Sequence, residues 1–283
     1  MSVDLESNQA LPQAEQIERA VELLQGTTIA LLTGAGISTD SGIPDYRGKG
    51  SSKRTPMTWS QFRADPEYRK RYWAGSQLGW KTFGSAEPNA GHRALARLES
   101  ATLVNGIVTQ NVDGLHVRAG SRHVVDLHGS MDRVRCMSCG QYFARQAVAE
   151  QIVTENPSMR DYQGVIGPDG DVIPGDLTDF LVPDCTVCGG LLRPDIVFFG
   201  EFVPTDRFGL AQAMVASAGA LVVAGSSLTV NSGVRLVEVA RRRKLPVLII
   251  NVGETRGDRA ATLKIDAGTT PTLTLIADAL LEG

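Results

Sequence analysis

The chain has 283 residues, with 42% hydrophobic and 21% charged residues and a formal net charge of −3. That length and balance suit a globular enzyme with one large domain and a smaller companion, able to bury a substantial core. The slight negative charge gives no electrostatic basis for binding nucleic acid or an anionic membrane, and no apolar run is long enough to span a bilayer.

The polar start MSVDLESNQALPQAEQ has neither a signal-peptide core nor an Arg-rich transit pattern, so a cytoplasmic protein is expected. Residues 1–12 read as a flexible arm. Ile17, Ala20, Val21 and Leu24 recur at helical spacing from Ala14 to Gln25, and Gly26 ends that helix. The run Thr27–Leu32 then reads as a buried parallel strand. It feeds Gly34, Ala35 and Gly36, a small-residue turn whose backbone N–H groups can approach an anion. Ser38 and Asp40 are expected to cap the segment after that turn. The third glycine of the dinucleotide fingerprint is absent, because Thr39 stands in its place.

Residues 45–85 carry Trp59, Trp73 and Trp80 with many charges and no strand pattern, and predict short helices over the cofactor turn. A helix is expected over His92–Leu98, and strands over Ala101–Gln110 and Val124–Leu127. Leu221–Ala224 and Val247–Ile250 predict further strands, Val234–Arg243 a helix, and 272–281 a closing helix. Strands ending in polar or glycine-rich loops gather those loops at one sheet edge. The fold class expected is α/β, a Rossmann-like parallel sheet with helices on both faces and a smaller lobe. The large domain takes 13–44, 86–129 and 195–283. Residues 45–85 form a helical cofactor-loop region and 130–194 a zinc-binding module.

All four cysteines fall into two C-x-x-C pairs, Cys136/Cys139 and Cys185/Cys188. Such pairs favour a reducing compartment and close a tetrahedral Zn²⁺ site. Gly140 and Gly189 follow each pair, where a knuckle needs a permissive backbone. Four thiolates leave no open coordination position, so the zinc is expected to be structural.

Gln110, Asn111 and Asp113 follow a strand and are suited to ribose hydroxyls or an amide. His128 lies between a short apolar strand and Gly129, and its titration near neutrality makes it the candidate general base. His92, His116 and His123 compete, with His92 and His123 expected at the surface. Ile196–Glu201 reads as an apolar strand, either in the core or at an edge where an extended peptide pairs with it. Gly225, Ser226 and Ser227 offer amides to a phosphate, and Asn251 suits a ribose hydroxyl. No acidic residue ends a strand about 20 positions beyond the glycine turn, which argues against an ordinary hydride-transfer dehydrogenase.

In order, GAGIS (34–38), GIPDYRG (42–48), TQNVDGLH (109–116), LHG (127–129), the cysteine pairs, RPDIVFFGE (193–201), GSSL (225–228) and IN (250–251) resemble the sirtuins. These are the NAD-dependent protein deacylases, and the likeness covers roughly residues 15–270. The resemblance implies NAD and an acyl-lysine peptide entering between a Rossmann-type domain and a zinc module. It places Ala35 and Gly36 at the pyrophosphate, with Asp45, Tyr46 and Arg47 in the nicotinamide loop. Gln110, Asn111 and Asp113 are placed at the nicotinamide ribose and amide, with Asn111 and Asp113 among the catalytic set beside the base His128. Val197, Phe198, Phe199 and Gly200 are implied to enclose the substrate lysine. Gly225, Ser226, Ser227 and Asn251 then meet phosphate and adenosine ribose, and Asp266 lies near the adenine.

The implied chemistry releases nicotinamide, joins the acyl oxygen to the ribose, and uses His128 to accept a ribose hydroxyl proton. Free lysine and O-acyl-ADP-ribose leave. Within the family the chain resembles the branch of the weakly deacetylating mitochondrial sirtuin with lipoamidase and ADP-ribosyltransferase activities. The cues are PDYRG, RYWAGSQLGW (71–80), CMSCG and the extra loop 165–176. Tyr46 stands where the family's deacetylases usually carry Phe. The Tyr and Arg that grip an acidic acyl chain are not visible after Gly48. The partners expected are acylated-lysine proteins or peptides, without nucleic acid or membrane, acted on by a monomer. Alternatives are mono-ADP-ribosyl transfer on the same fold, a zinc-ribbon binding module, or an NAD sensor without turnover.

Overall fold

The structure, a computed structural model, describes residues 11–45, 56–160 and 177–283. Tyr46, Arg47 and the extra loop 165–176 therefore lie outside the described residues, as does most of the arm. Six parallel strands form the main sheet: β1 (Ile29–Thr33), β2 (Val104–Thr109), β3 (Val124–Asp126), β7 (Ala220–Ala224), β8 (Val247–Ile250) and β9 (Leu263–Ile265). Their spatial order is β3-β2-β1-β7-β8-β9. The order reverses between β1 and β7, which is where doubly wound sheets open a crevice at their carboxyl ends.

A strand alternates its faces with period two, and the two cores follow that rule. Ile29, Leu31, Val222, Leu248 and Ile250 pack with α1 (Gln13–Leu24), α4 (Ala90–Ser100) and α9 (Thr269–Glu282). Ala30, Leu32, Leu221, Val223 and Ile249 face the other way, onto α7 (Thr205–Ala216) and α8 (Asn231–Arg242). Burial on both faces explains why these strands read as continuous apolar runs.

The smaller lobe is an antiparallel sheet, β5-β4-β6, made of β4 (Gly129–Cys136), β5 (Tyr142–Ala144) and β6 (Leu192–Ile196). Helix α6 (Arg145–Glu155) packs on it. Between the lobes, α2 (Trp59–Ala64) begins on a Thr58/Gln61 capping box, and Pro66 opens α3 (Pro66–Ser85). Among the described residues of 45–85, the expected short helices are one six-residue helix and one of twenty residues. Helix α3 serves two lobes at once. Trp73 lies in the small-lobe core with Val134 and Ile152, while Phe83 packs with Ile43, Leu115 and Met131. Two contact faces blur the single apolar stripe that marks a surface helix. Among the described residues, no helix is long and apolar enough to cross a membrane.

The expected strand over 196–201 ends at Ile196. Val197 then donates its N–H to the His128 carbonyl (2.8 Å), and Phe199 makes an isolated bridge to Thr58. His92 also departs from its expected surface position. It is fully buried on the inner face of α4, one turn from Leu95, with its ring 4.8 Å from that of His116. His116, on the four-residue α5 (Leu115–Arg118), in turn hydrogen-bonds Thr33 Oγ1 (2.8 Å) beneath the glycine turn. His123 is exposed, as expected, and pairs with Glu99.

Burial, with the charges of Arg93 and Arg118, pushes the His92 pKa down to about 4. The ordinary value is 6.5, so the unfolded chain binds this proton first as pH falls. Stability from the neutral ring is complete above pH 6.5 and is lost progressively toward pH 4, at a cost of about 3 kcal/mol. His92→Leu should therefore lose less Tm than the wild type between pH 7 and pH 4.5. Parallel melting curves for the two proteins would contradict this.

Candidate active site and metal centre

The crevice at the sheet reversal is built from two loops in direct contact. Gly34 N–H donates to the Ala224 carbonyl (3.1 Å), and Gly36 N–H to the Gly225 carbonyl (2.9 Å). A Cβ on Gly34 would stand 2.8 Å from the Gly225 oxygen, and one on Gly36 would stand 2.9 Å from the Gly225 Cα. Gly225 has φ +66°, and its own Cβ would collide with the Ile37 nitrogen. The glycines thus let the β1 and β7 loops touch, and two amides expected to face an anion are bonded within the protein. Gly225→Ala combines a left-handed φ with backbone overlap, so it should cost about 2 kcal/mol or more and weaken nucleotide binding. A variant with unchanged Tm and affinity would contradict the interlock.

Side chains from the end of β2 cross-brace this pair of loops. Gln110 Nε2 donates to Ser226 Oγ (2.7 Å) and to the Thr33 carbonyl (3.3 Å). Asn111 Nδ2 donates to the Gly34 carbonyl (3.2 Å) and to Ser38 Oγ (3.0 Å), and Ser38 Oγ donates to Asp113 Oδ2 (2.7 Å). Ser38 is therefore a link to Asp113 and not the helix cap expected, since no side-chain cap bond forms there. Asp113 is buried, and burial raises its pKa despite bonds from the Leu115 N–H and Ser38. Asn89 caps α4 while donating to the Ile37 carbonyl, and Thr269 Oγ1 donates to the Gly36 carbonyl (3.0 Å). The glycine turn is held from three sides.

His128 follows β3 at the same edge. Its Nδ1 is 2.9 Å from the Gln110 carbonyl, which only accepts, so Nδ1 carries the proton. Nε2 is then the basic nitrogen, 2.9 Å from Ser232 Oγ. Burial lowers the His128 pKa, the Gln110 bond opposes this, and Arg207 adds to it. A neutral imidazole with one fixed tautomer has the form a general base requires.

On the far side of β8, Asn251 is nearly buried and donates to the Val252 and Gly253 carbonyls, while exposed Asp266 accepts from Gly253 N–H (3.0 Å). Ser227 Oγ lies 3.0 Å from Thr229 Oγ1, and Asp45 is half-buried at the end of the described turn. The segment 197–200 leaves the small sheet past His128. Phe198 is buried against Trp59, Phe62 and Tyr72, whereas Phe199 and Gly200 are exposed. Arg193 clamps this segment by a two-pronged pair to Glu201 (2.9 and 2.8 Å), and its guanidinium stacks 4.2 Å above Trp59. No local pattern in the sequence marks Ser232 or Thr33 for these roles, because each acts on a partner distant in sequence, whereas Arg193 and Glu201 are the two ends of the segment RPDIVFFGE.

The four cysteine sulfurs lie within 4.8 Å of one another, with Cys136–Cys188 at 3.6 Å and Cys139–Cys185 at 3.8 Å. A Zn–S bond of about 2.3 Å gives a tetrahedral edge of about 3.8 Å, which the two closest sulfur pairs match, so the set fits Zn²⁺. Gly140 and Gly189 adopt φ +76° and +69° behind the knuckles. Cys136 ends β4, so the metal would close the small sheet at the opposite end of that strand from His128. Cys136→Ala should release zinc and melt the small lobe at lower temperature. Retained metal and an unchanged Tm would contradict a structural metal.

A doubly wound sheet with paired glycine loops and a tautomer-fixed histidine marks a nucleotide-dependent enzyme, and the four-cysteine lobe fits a structural metal. The Sir2 family model matches residues 34–232, and the chain belongs to that family. It is 51% identical to the NAD-dependent protein deacetylase 1 of Mycobacterium avium, over 92% of this chain and 94% of that one. It is 47% identical to the NAD-dependent protein deacylase Sirt4 of Drosophila melanogaster, covering 87% and 81%. A solved structure of Sir2 with a p53 peptide and NAD+ superposes with a TM-score of 0.76 at 32% identity, over 94% of this chain and 99% of that one.

Proposed function

We propose that the protein is an NAD-dependent protein-lysine deacylase, with acetyl-lysine proteins or peptides as its first class of substrate. The cofactor is NAD, and the cysteine set fits one structural Zn²⁺. The observation that carries the reading is the placement of a neutral, oriented His128 at the carboxyl edge that also holds Gln110, Asn111 and Asp113. The family membership and the relatives named as NAD-dependent deacetylases support it.

The residues fit NAD on their own chemistry. The reversal of strand order opens the crevice beside Ala35, Ser226 and Ser227, where a pyrophosphate lies in folds of this kind. Asn251 and Asp266, at the ends of β8 and β9, suit the adenosine end, and Asp45 with Gln110, Asn111 and Asp113 suit the nicotinamide end. When bound, NAD supplies an activated ribose carbon and a nicotinamide leaving group. The protein orients that group between the lobes, excludes water with Phe198 and its aromatic neighbours, and accepts a ribose hydroxyl proton at His128 Nε2. The segment 197–200 lies beside His128, and its exposed residues Phe199 and Gly200 are available to a lysine-bearing strand.

The Drosophila relative is named a deacylase of the Sirt4 type, which supports the finer reading of a branch with acyl groups beyond acetyl. ADP-ribosyl transfer to protein would use the same cofactor loops but has less need of a base at the ribose, so His128 favours deacylation. His128→Ala should reduce deacetylation of an acetyl-lysine peptide by at least about a hundredfold while NAD affinity stays within a few-fold of wild type. Wild-type turnover in that variant would contradict the assigned base.

A further inference from the structure

His128 Nε2 is not open in the ligand-free protein. It meets the hydroxyl of Ser232, 104 positions later in the chain. Ser232 is in the first turn of α8, a helix of twelve residues, and is itself nearly buried. Its location is tightly fixed, because a Cβ on the next residue, Gly233, would come 2.9 Å from Gln110 Oε1. Gln110 is also the residue whose carbonyl accepts from His128 Nδ1. One imidazole is therefore gripped at both nitrogens, by the end of β2 on one side and by the start of α8 on the other.

We propose that Ser232 is a positioning residue for His128, holding Nε2 toward the cleft and supporting the ring after it takes a proton. The inference rests on the reading of His128 as the base. A hydroxyl suits this task because it works in both directions. While the ring is neutral, Ser232 Oγ–H donates to the Nε2 lone pair. A bound ribose hydroxyl takes over that lone pair and passes its proton to Nε2. Once protonated, Nε2–H has the Ser232 oxygen as an acceptor at hydrogen-bond range. Hydrogen bonds to charged groups are about twice as strong as neutral ones, so the hydroxyl favours the protonated ring over a bare apolar wall.

The surrounding charges do not duplicate that support. Arg207 of α7 opposes protonation and pairs with Asp195 of β6, while Asp126 of β3 pairs with Arg133 of β4. Arg235, the next charged group on α8, stacks on Phe208. Ser232 is also near the positive end of its own helix, which adds no support for a protonated ring.

The test is the ionisation of His128 in ligand-free protein, followed by NMR of labelled histidine and assigned by comparison with His128→Ala, together with steady-state kinetics. In Ser232→Ala, His128 should titrate at lower pH than in wild type. The acid limb of the rate profile should move the same way, and kcat should fall about tenfold with NAD affinity within twofold. Ser232→Thr, which keeps a hydroxyl, should restore most of both. An unmoved His128 titration in Ser232→Ala overturns the inference, as does a loss of NAD affinity that matches the loss of rate. Wild-type turnover in His128→Ala would overturn the base reading and the inference with it. A lost rate there beside an unaffected Ser232→Ala overturns the inference alone.

Discussion

The contact between the β1 loop and the β7 loop is the constraint on which the rest depends. Gly34, Gly36 and Gly225 approach so closely that no side chain fits between them, and two of their amides close the seam by hydrogen bonds. This seam lies where the strand order reverses, so the crevice floor is made of backbone held at fixed distance. Thr269, Asn89 and Asn111 each bond a carbonyl of the same turn, which leaves it little freedom to move when a ligand arrives. Preorganisation of that kind lowers the ordering cost of binding a long, flexible dinucleotide.

From this floor the polar groups extend in one connected set. Gln110 braces Ser226 through its side chain and fixes His128 through its carbonyl, so one residue couples the β7 loop to the imidazole. Ser38 couples Asn111 to Asp113 in the same manner. A buried network whose members satisfy one another holds a single geometry, and a partly satisfied one does not. The zinc lobe stands outside this set. Its four sulfurs would fill every position of a tetrahedral Zn²⁺, at the end of the sheet from which the 197–200 segment departs.

Much of this was legible in the chain because the signals are local. Strands buried on both faces leave unbroken apolar runs, glycine pairs mark the tight loops, and two C-x-x-C knuckles state a metal site by spacing alone. What the chain concealed is what depends on partners far away. Helix α3 spends its tryptophans on two different surroundings, with Arg145 stacked on both Trp73 and Trp80, so its periodicity looks irregular. The run after Ile196 is apolar enough for a strand, yet Phe198 belongs to an aromatic cluster and the backbone leaves the sheet. His92 shares a helical face with Leu95, a local hint of burial outweighed by the polar character of histidine. Ser232 gave no local hint, since only the fold brings it to His128.

The most direct test of the central claim is mass spectrometry of the purified protein incubated with NAD and a panel of acyl-lysine peptides, from acetyl through long-chain and lipoyl. The account predicts O-acyl-ADP-ribose formed in step with free nicotinamide and deacylated peptide, with the best acyl chain reporting the shape of the pocket. Nicotinamide release with ADP-ribose attached to protein, and every peptide still acylated, would contradict it.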